Sequence, residues 1–200
     1  MSHPSTSLLI QKAMVSAAVT DNDDRHEILS ELIAQRLTAG ADDMIALVGS
    51  AACDVVNSLA SRQIRLLGLL ALLWEIKPTE EPEIVDQGEY DAYVSQYWMS
   101  RSQFLEDLHD VGKFDVWHLT ALSCMFYTSG YHDILDMLSL PVKPKQMKPT
   151  ESHIKKALWW NDFEKVWNIG LAYSSPTTTG ILIGTLYHDG LYQTRTELNW

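Results

Sequence analysis

The chain has 200 residues, 46% of them hydrophobic, and can bury a core as one domain or as two small ones. Its net charge of −11 is uneven: residues 1–100 hold 6 Lys/Arg and 15 Asp/Glu, residues 101–200 hold 9 and 11, giving −9 and −2. An acidic surface repels nucleic acid and attracts basic partners, so only the second half is suited to a phosphate backbone, and the asymmetry favours two functional halves.

In chain order, Ser7–Val19 reads as a weak helix ended by Asp21, Asn22, Asp23 and Asp24, with Asp23 or Asp24 free to cap the next helix. Ile28, Leu29, Leu32, Ile33 and Leu37 form one apolar stripe, and Gly40 stands where a C-terminal glycine cap belongs. Asp42 or Asp43 opens a second helix, on which Met44, Ile45, Val48, Ala51, Ala52, Val55, Val56 and Leu59 keep the helical period. Ser61 is expected to cap a third, Arg62–Ile76, whose leucines surround the axis and predict a buried central helix. Pro78 ends it. The acidic stretch that follows predicts a boundary: an acidic bundle over 1–77, a linker over 78–88 and a second helical region over 89–200.

Tyr90, Tyr93, Val94, Tyr97, Trp98, Phe104, Leu105 and Leu108 predict one long amphipathic helix closed by Gly112. Asp115 is expected to cap another, carrying Val116, Leu119, Leu122, Cys124 and Phe126 and ending at Gly130. Ile134, Leu135 and Leu138 mark a short helix stopped by Pro141. A helical run, Ser152–Trp160, leads into Lys165–Tyr173, where Trp167, Ile169, Leu171 and Tyr173 alternate with Asn168, Gly170 and Ala172. A turn over Ser174–Thr179 opens a last helix, Gly180–Tyr187. Helix, period-two ribbon, turn, helix is the order in which a winged-helix module ends. The expected fold is therefore mainly α: an N-terminal helical bundle plus a small winged-helix-like C-terminal half with a short β-ribbon.

Cys53 and Cys124 sit in apolar helical patterns and make no disulfide framework, which predicts a reducing compartment. The first twenty residues carry no secretory pattern. The longest apolar run, Leu66–Trp74, has nine residues, against about 20 for a bilayer span. The expectation is a cytoplasmic chain with no membrane segment.

The one catalytic-looking string is Leu108-His109-Asp110-Val111-Gly112-Lys113. It resembles the metal-binding His-Asp core of the HD phosphohydrolases, in which adjacent His and Asp ligate a divalent ion; His132-Asp133 and His188-Asp189 repeat the pair. That family also needs a nearby upstream helical histidine, and the nearest here is the distant His26. The structural alternative places His109 and Asp110 in a solvated last helical turn, where histidine complements the helix dipole. Nucleophile elbow, Walker loop, dinucleotide loop, Cys-x-x-Cys and close His spacings are all missing. No catalytic residue, metal site or cofactor is assigned.

Lys143, Lys145, Lys148, Lys155 and Lys156 lie within fourteen residues that hold one acid, Glu151. They precede and enter the helix that would occupy a major groove in a winged-helix arrangement, with Ser152, His153 and Lys156 as base or phosphate contacts. The alternative is a solvated loop of Pro and Lys. Most aromatic residues fall on helical stripes and read as core. Trp159 and Trp160 cannot both face inward on one helix, so one of them is expected to form a partner surface.

Asp115-Val116-Trp117-His118-Leu119 with Cys124, Leu158-Trp159-Trp160-Asn161, Pro176–Gly184 and Leu198-Asn199-Trp200 carry a resemblance over most of residues 25–200. The chain resembles the C-terminal region of an uncharacterised bacterial family known by locus-tag labels. The resemblance implies a helical fold and a bacterial source, with no activity or catalytic residues attached. The function read from the residues is non-enzymatic recognition of a macromolecule, a basic protein first and DNA second, with a metal-dependent phosphohydrolase as a lesser alternative. A bacterial defence, antitoxin or immunity context fits an acidic helical chain of this kind.

Overall fold

A computed structural model describes residues 10–11, 14–15, 18, 23–38, 44–106 and 108–198. The helix expected around Ser7–Val19 lies mostly outside them, and Gly40, Asp42 and Asp43 lie outside altogether. Helix α1 (Asp23–Thr38) starts with Asp23 and Asp24 in its first turn, where carboxylates meet the positive end of the helix dipole. Its Ile28, Leu29 and Leu32 are buried against α2 (Met44–Val56). Helix α3 (Ser61–Trp74) follows; Ala60, not Ser61, is its N-cap, and the Gln63 side chain reaches back to accept from the Ala60 amide at 3.0 Å. Every residue of α3 from Leu66 to Leu73 is buried, as leucines around the whole axis predict.

Helix α4 (Gln87–Met99) is capped by Asp86, whose carboxylate accepts from the Glu89 amide at 3.0 Å. The expected single long helix breaks at Ser100–Ser102 and resumes as the short α5 (Gln103–Glu106). The break turns Phe104 and Leu105 into the core, where Phe104 packs edge-on to Tyr187 at 5.8 Å. Helix α6 (Lys113–Ala121) begins at Gly112, with Asp115 inside its first turn instead of ahead of it. The buried Asp115 carboxylate accepts from the Gly112 amide (3.0 Å), Arg62 Nε (2.8 Å) and Gln63 Nε2 (3.0 Å), tying α6 to the start of α3.

After α6 the chain forms a strand that the helical reading missed. Strand β1 (Met125–Tyr127) pairs antiparallel with β2 (Ser174–Pro176), in the register Met125↔Pro176, Phe126↔Ser175, Tyr127↔Ser174. Between them lie α7 (Ile134–Leu138), capped by Asp133, then α8 (Glu151–Ile154), α9 (Trp160–Asn168) and a 3-10 turn over Leu171–Tyr173. The expected ribbon at Lys165–Tyr173 is therefore a helix end and a turn, and no wing stands there. The competing period explains the error. Trp160, Phe163 and Trp167 recur at helical spacing and are buried together, while the alternation read from Trp167 onward crosses a helix end at Gly170, whose φ is +154°. The helical run expected over Ser152–Trp160 is likewise interrupted between α8 and α9.

Helix α10 (Thr178–Tyr192) closes the architecture, capped by Thr177, whose hydroxyl accepts from the Gly180 amide. All nine residues from Gly180 to His188 are buried, and α10 packs along α3 and against α1 and α2. The segment 78–88 thus connects α3 to α4 without parting two cores: one apolar cluster runs from Ile28 to Tyr187. Two glycines make the α10 contacts geometrically available. A Cβ on Gly184 would stand 2.1 Å from the Leu67 carbonyl oxygen, and one on Gly180 would stand 2.1 Å from that of Cys124. Both obstacles are backbone, which cannot rotate away.

Gly184→Ala is expected to lower unfolding free energy by about 1–3 kcal/mol or more in urea denaturation, whereas Gly130→Ala, with open space around its Cβ, should stay within about 0.5 kcal/mol. Equal effects of the two changes would remove the close α3–α10 crossing.

Candidate functional site

The lysines expected to face a phosphate backbone are largely matched with carboxylates. Lys143 lies 3.8 Å from Glu81, Lys155 lies 2.8 Å from Glu151 and Lys148 pairs with Asp136. Donating hydrogen bonds to the Asp136 and Glu151 carboxylates holds the Lys148 and Lys155 ammonium groups above their ordinary range. The Lys143 backbone is also engaged, bridging in parallel to Glu83 next to the linker. Ser152 and His153 sit on the four-residue α8, and a single turn spans only about 6 Å. Lys145 and Lys156 are exposed.

Trp159 and Trp160 are both buried, 7% and 4% exposed, which corrects the expectation that one would face outward. Trp159 precedes α9 as its N-cap, so the two rings need not share one helical face. They join a ring stack running Trp98, Trp159, Phe163 and Trp167, with neighbouring centroids 5.8–6.4 Å apart. The side chain turned fully to solvent is their neighbour Leu158.

The three His-Asp pairs lie on different elements. His109 Nε2 and Asp110 meet at 3.2 Å in an exposed turn. His132 packs edge-on to Trp74 at 5.4 Å, with its Nε2 3.1 Å from Ser175 Oγ. Among the described residues, no group of three or more His, Cys, Asp or Glu is placed to hold a metal ion. Cys124 is fully buried beside β1, and burial pushes its thiol up to about 12, far from nucleophilic ionisation.

Two other features are built into the fold. The first is a group of exposed aromatic rings on α6 and around the β1–β2 pair. On α6, Phe114 and Trp117 are 79% and 54% exposed, with ring centroids 5.4 Å apart at an 85° angle. α6 packs against β1, which exposes Phe126 and Tyr127. The loop beyond adds Tyr131, edge-on at 5.5 Å to exposed Tyr173 just before β2. The surrounding sequence is free of formal charge: residues 116–132 and 166–188 contain no Asp, Glu, Lys or Arg. On a chain of net charge −11, these are long interruptions.

The second is a cavity of about 1170 Å³ where the ends of α3, α4 and α10 meet the C-terminal segment at Thr194–Glu197. His188 lines it. Its Nδ1 lies 3.1 Å from Asp189 Oδ1, and Asp189 in turn accepts from Thr194 Oγ1 at 2.9 Å, Thr196 N at 2.6 Å and Thr196 Oγ1 at 2.7 Å. Burial alone would push the Asp189 carboxyl up; the hydrogen bonds from His188, Thr196 and Thr194 outweigh it and hold the group below the usual range. Burial lowers the Lys77 ammonium to about 8, partly offset by Glu75. Sequence reading found the His188-Asp189 pair by adjacency, but nothing in the sequence showed that Arg101, Lys77 and His188 share one cavity.

A family model described only by a locus-tag "-like" label matches residues 1–143, and the chain belongs to that family. The match begins at residue 1 and ends before α8, so it includes Asp115–Leu119 and Cys124 but not the later segments that carried the resemblance over residues 25–200. No curated protein and no solved structure matches the chain. No helix among the described residues is long and apolar enough to cross a membrane.

A carboxylate held below its ordinary range stabilises the fold above the unfolded value, about 3.9, and that stability is lost as pH falls through the folded value. Asp189 is in this class. Urea stability should therefore decline on acidification below about pH 4, and Asp189→Asn should flatten this decline while lowering stability at neutral pH. An unchanged acid limb in the variant would refute the assignment.

Proposed function

We propose that this member of the family is a non-enzymatic recognition protein that binds a basic protein through the exposed aromatic rings on α6 and around the β1–β2 pair. The observation that carries the reading is the exposure of Phe114, Trp117, Phe126, Tyr127, Tyr131 and Tyr173 on or beside stretches empty of formal charge. Exposed aromatic rings rimmed by polar surface are the side chains that dominate protein-interface energetics. Rigid backbone supports them: β1 and β2 are hydrogen-bonded, and the Thr128 amide donates to the Tyr173 carbonyl at 2.8 Å. The surplus of acids elsewhere supplies long-range attraction to a basic partner, which raises the rate of encounter. A bacterial defence or immunity setting suits such a binder, and a cytoplasmic location belongs to the same proposal.

The lysine cluster favours this reading over DNA binding. Three of its five lysines already face carboxylates, and the helix that would enter a groove is one turn long.

The test is copurification from the native host with mass spectrometry, followed by reconstitution from purified components. Phe126→Ser/Tyr173→Ser should weaken the reconstituted complex by about tenfold or more, since interface aromatics commonly carry about 2 kcal/mol each. Lys155→Glu/Lys156→Glu should leave it intact. Loss on the lysine change alone, together with a salt-sensitive shift of duplex DNA, would transfer the function to the nucleic-acid reading.

A further inference from the structure

The two edges of the β1–β2 pair are not equivalent. In an antiparallel pair, residues whose backbone groups bond across the pair alternate with residues whose groups point away from it. The Thr177 amide donates to the Cys124 carbonyl and the Thr128 amide to the Tyr173 carbonyl, which places Phe126 and Ser175 in the bonded set. The backbone groups of Met125 and Tyr127 therefore point off the far side of β1, and those of Ser174 and Pro176 off the far side of β2.

The β2 side is closed. Pro176 has no N–H to give, and the Ser174 amide already donates to the Leu171 carbonyl. Both residues are buried, and β2 packs against α3 and α10. The β1 side is open at its end. The chain turns from α6 into β1 at Cys124, whose amide donates to the Leu119 carbonyl, and Met125 beside it is 2% exposed. Tyr127 is 51% exposed, and among the described residues neither its amide nor its carbonyl has a backbone partner. Such an edge is commonly blunted by a charged side chain or a proline. Residues 116–132 contain no Asp, Glu, Lys, Arg or Pro.

Side chains alternate along a strand, so Phe126 shares one face of the pair with Ser175, and Met125 shares the other with Pro176. The second face is buried; the first presents Phe126, 48% exposed. A strand laid on the open edge would set every other side chain on that outward face, next to the Phe126 ring. What such an edge accepts is extended backbone, and charge decides whose. Two copies of this chain pairing edge to edge would bring net charges of −11 together, whereas a segment flanked by Lys or Arg is drawn in.

We propose that the free edge of β1 at Tyr127 receives an extended, proline-free segment of a basic protein, apolar at alternate positions and flanked by Lys or Arg. Resting on the function proposed for the aromatic rings, this mode of binding gives each group a part. The Tyr127 amide donates to the incoming backbone, its carbonyl accepts from it, and an apolar side chain packs beside Phe126.

Selection of displayed random octapeptides on the full chain at low salt is the test. Enriched peptides should be free of proline at their centre, apolar at alternate positions and basic at their ends. One of them is then synthesised in two forms, N-methylated at its odd or at its even positions. One form should bind about tenfold weaker, since the methyl groups remove donors along one edge, and the other should bind like the parent peptide. Peptide addition should also slow amide exchange at Tyr127, and Tyr127→Pro, checked for folding by circular dichroism, should lose the peptide. Equal binding of the two methylated forms, together with weakening by Phe126→Ser/Tyr173→Ser, refutes strand addition and leaves a side-chain interface standing. Unchanged exchange at Tyr127, or no enrichment of any peptide, overturns strand addition without bearing on the copurified complex. A concentration-dependent dimer in sedimentation that Tyr127→Pro abolishes would assign the edge to a second copy instead.

Discussion

The close crossing of α10 over α3 is the constraint on which the rest of this structure depends. Gly184 lets the backbones approach at Leu67, and Gly180 lets the start of α10 pass the Cys124 carbonyl. A side chain at either position would meet backbone, so the separation would have to grow and the leucines of α3 would lose close contacts. The same helix then carries His188 into the cavity wall and holds β2 beside β1 through its own N-terminal turn, where the Thr177 amide donates to the Cys124 carbonyl at 3.0 Å. The exposed aromatic rings beside the strand pair and the cavity thus both depend on one buried element: its start orders the strand pair, and its end closes the cavity.

Polar groups inside the fold are spent on joining segments remote in sequence. Tyr90 Oη donates to the Met147 carbonyl at 2.9 Å and accepts from the Leu140 amide at 2.9 Å. Asp91 accepts from the Thr150 amide at 2.8 Å, and Trp98 Nε1 donates to the Leu138 carbonyl at 3.1 Å. All three side chains come from α4, and all four partners lie between the end of α7 and the start of α8. A long connection with little regular structure must have its backbone groups satisfied by side chains. That is why α4 turns the hydrogen-bonding side chains of Tyr90, Asp91 and Trp98 to its buried face.

What the sequence made legible follows from which physical signal dominates each segment. The leucines of α3 and the apolar stripes of α1 and α2 are long and strongly periodic, so their helices were readable, as was the burial of α3. Caps were readable to within a residue or a turn: Ser61 stands one residue after the N-cap Ala60 and Asp23 and Asp24 fall in the first turn of α1, whereas Asp115 serves Arg62 and Gln63 from within α6. Strands of three residues are too short for period two to register, and Phe126 therefore read as helix. The predicted boundary at 78–88 rested on prolines and acids, which mark a solvent-exposed connection equally well inside a single core. Neither candidate site was visible as a site. The exposed rings depend on which of many aromatic residues remain uncovered, and the cavity on four chain segments meeting in space.

A ribosome delivers chain from its N-terminal end, and this order has a consequence here. The faces of α1, α2 and α3 that α10 covers are apolar and finish emerging well before Tyr192 does. Until then the nascent chain holds three helices with no cover for their inner surface, the condition under which holdase chaperones engage polypeptides. The inner faces of α1, α2 and α3 are therefore covered only once α10, a segment that the family match does not reach, is available to pack on them.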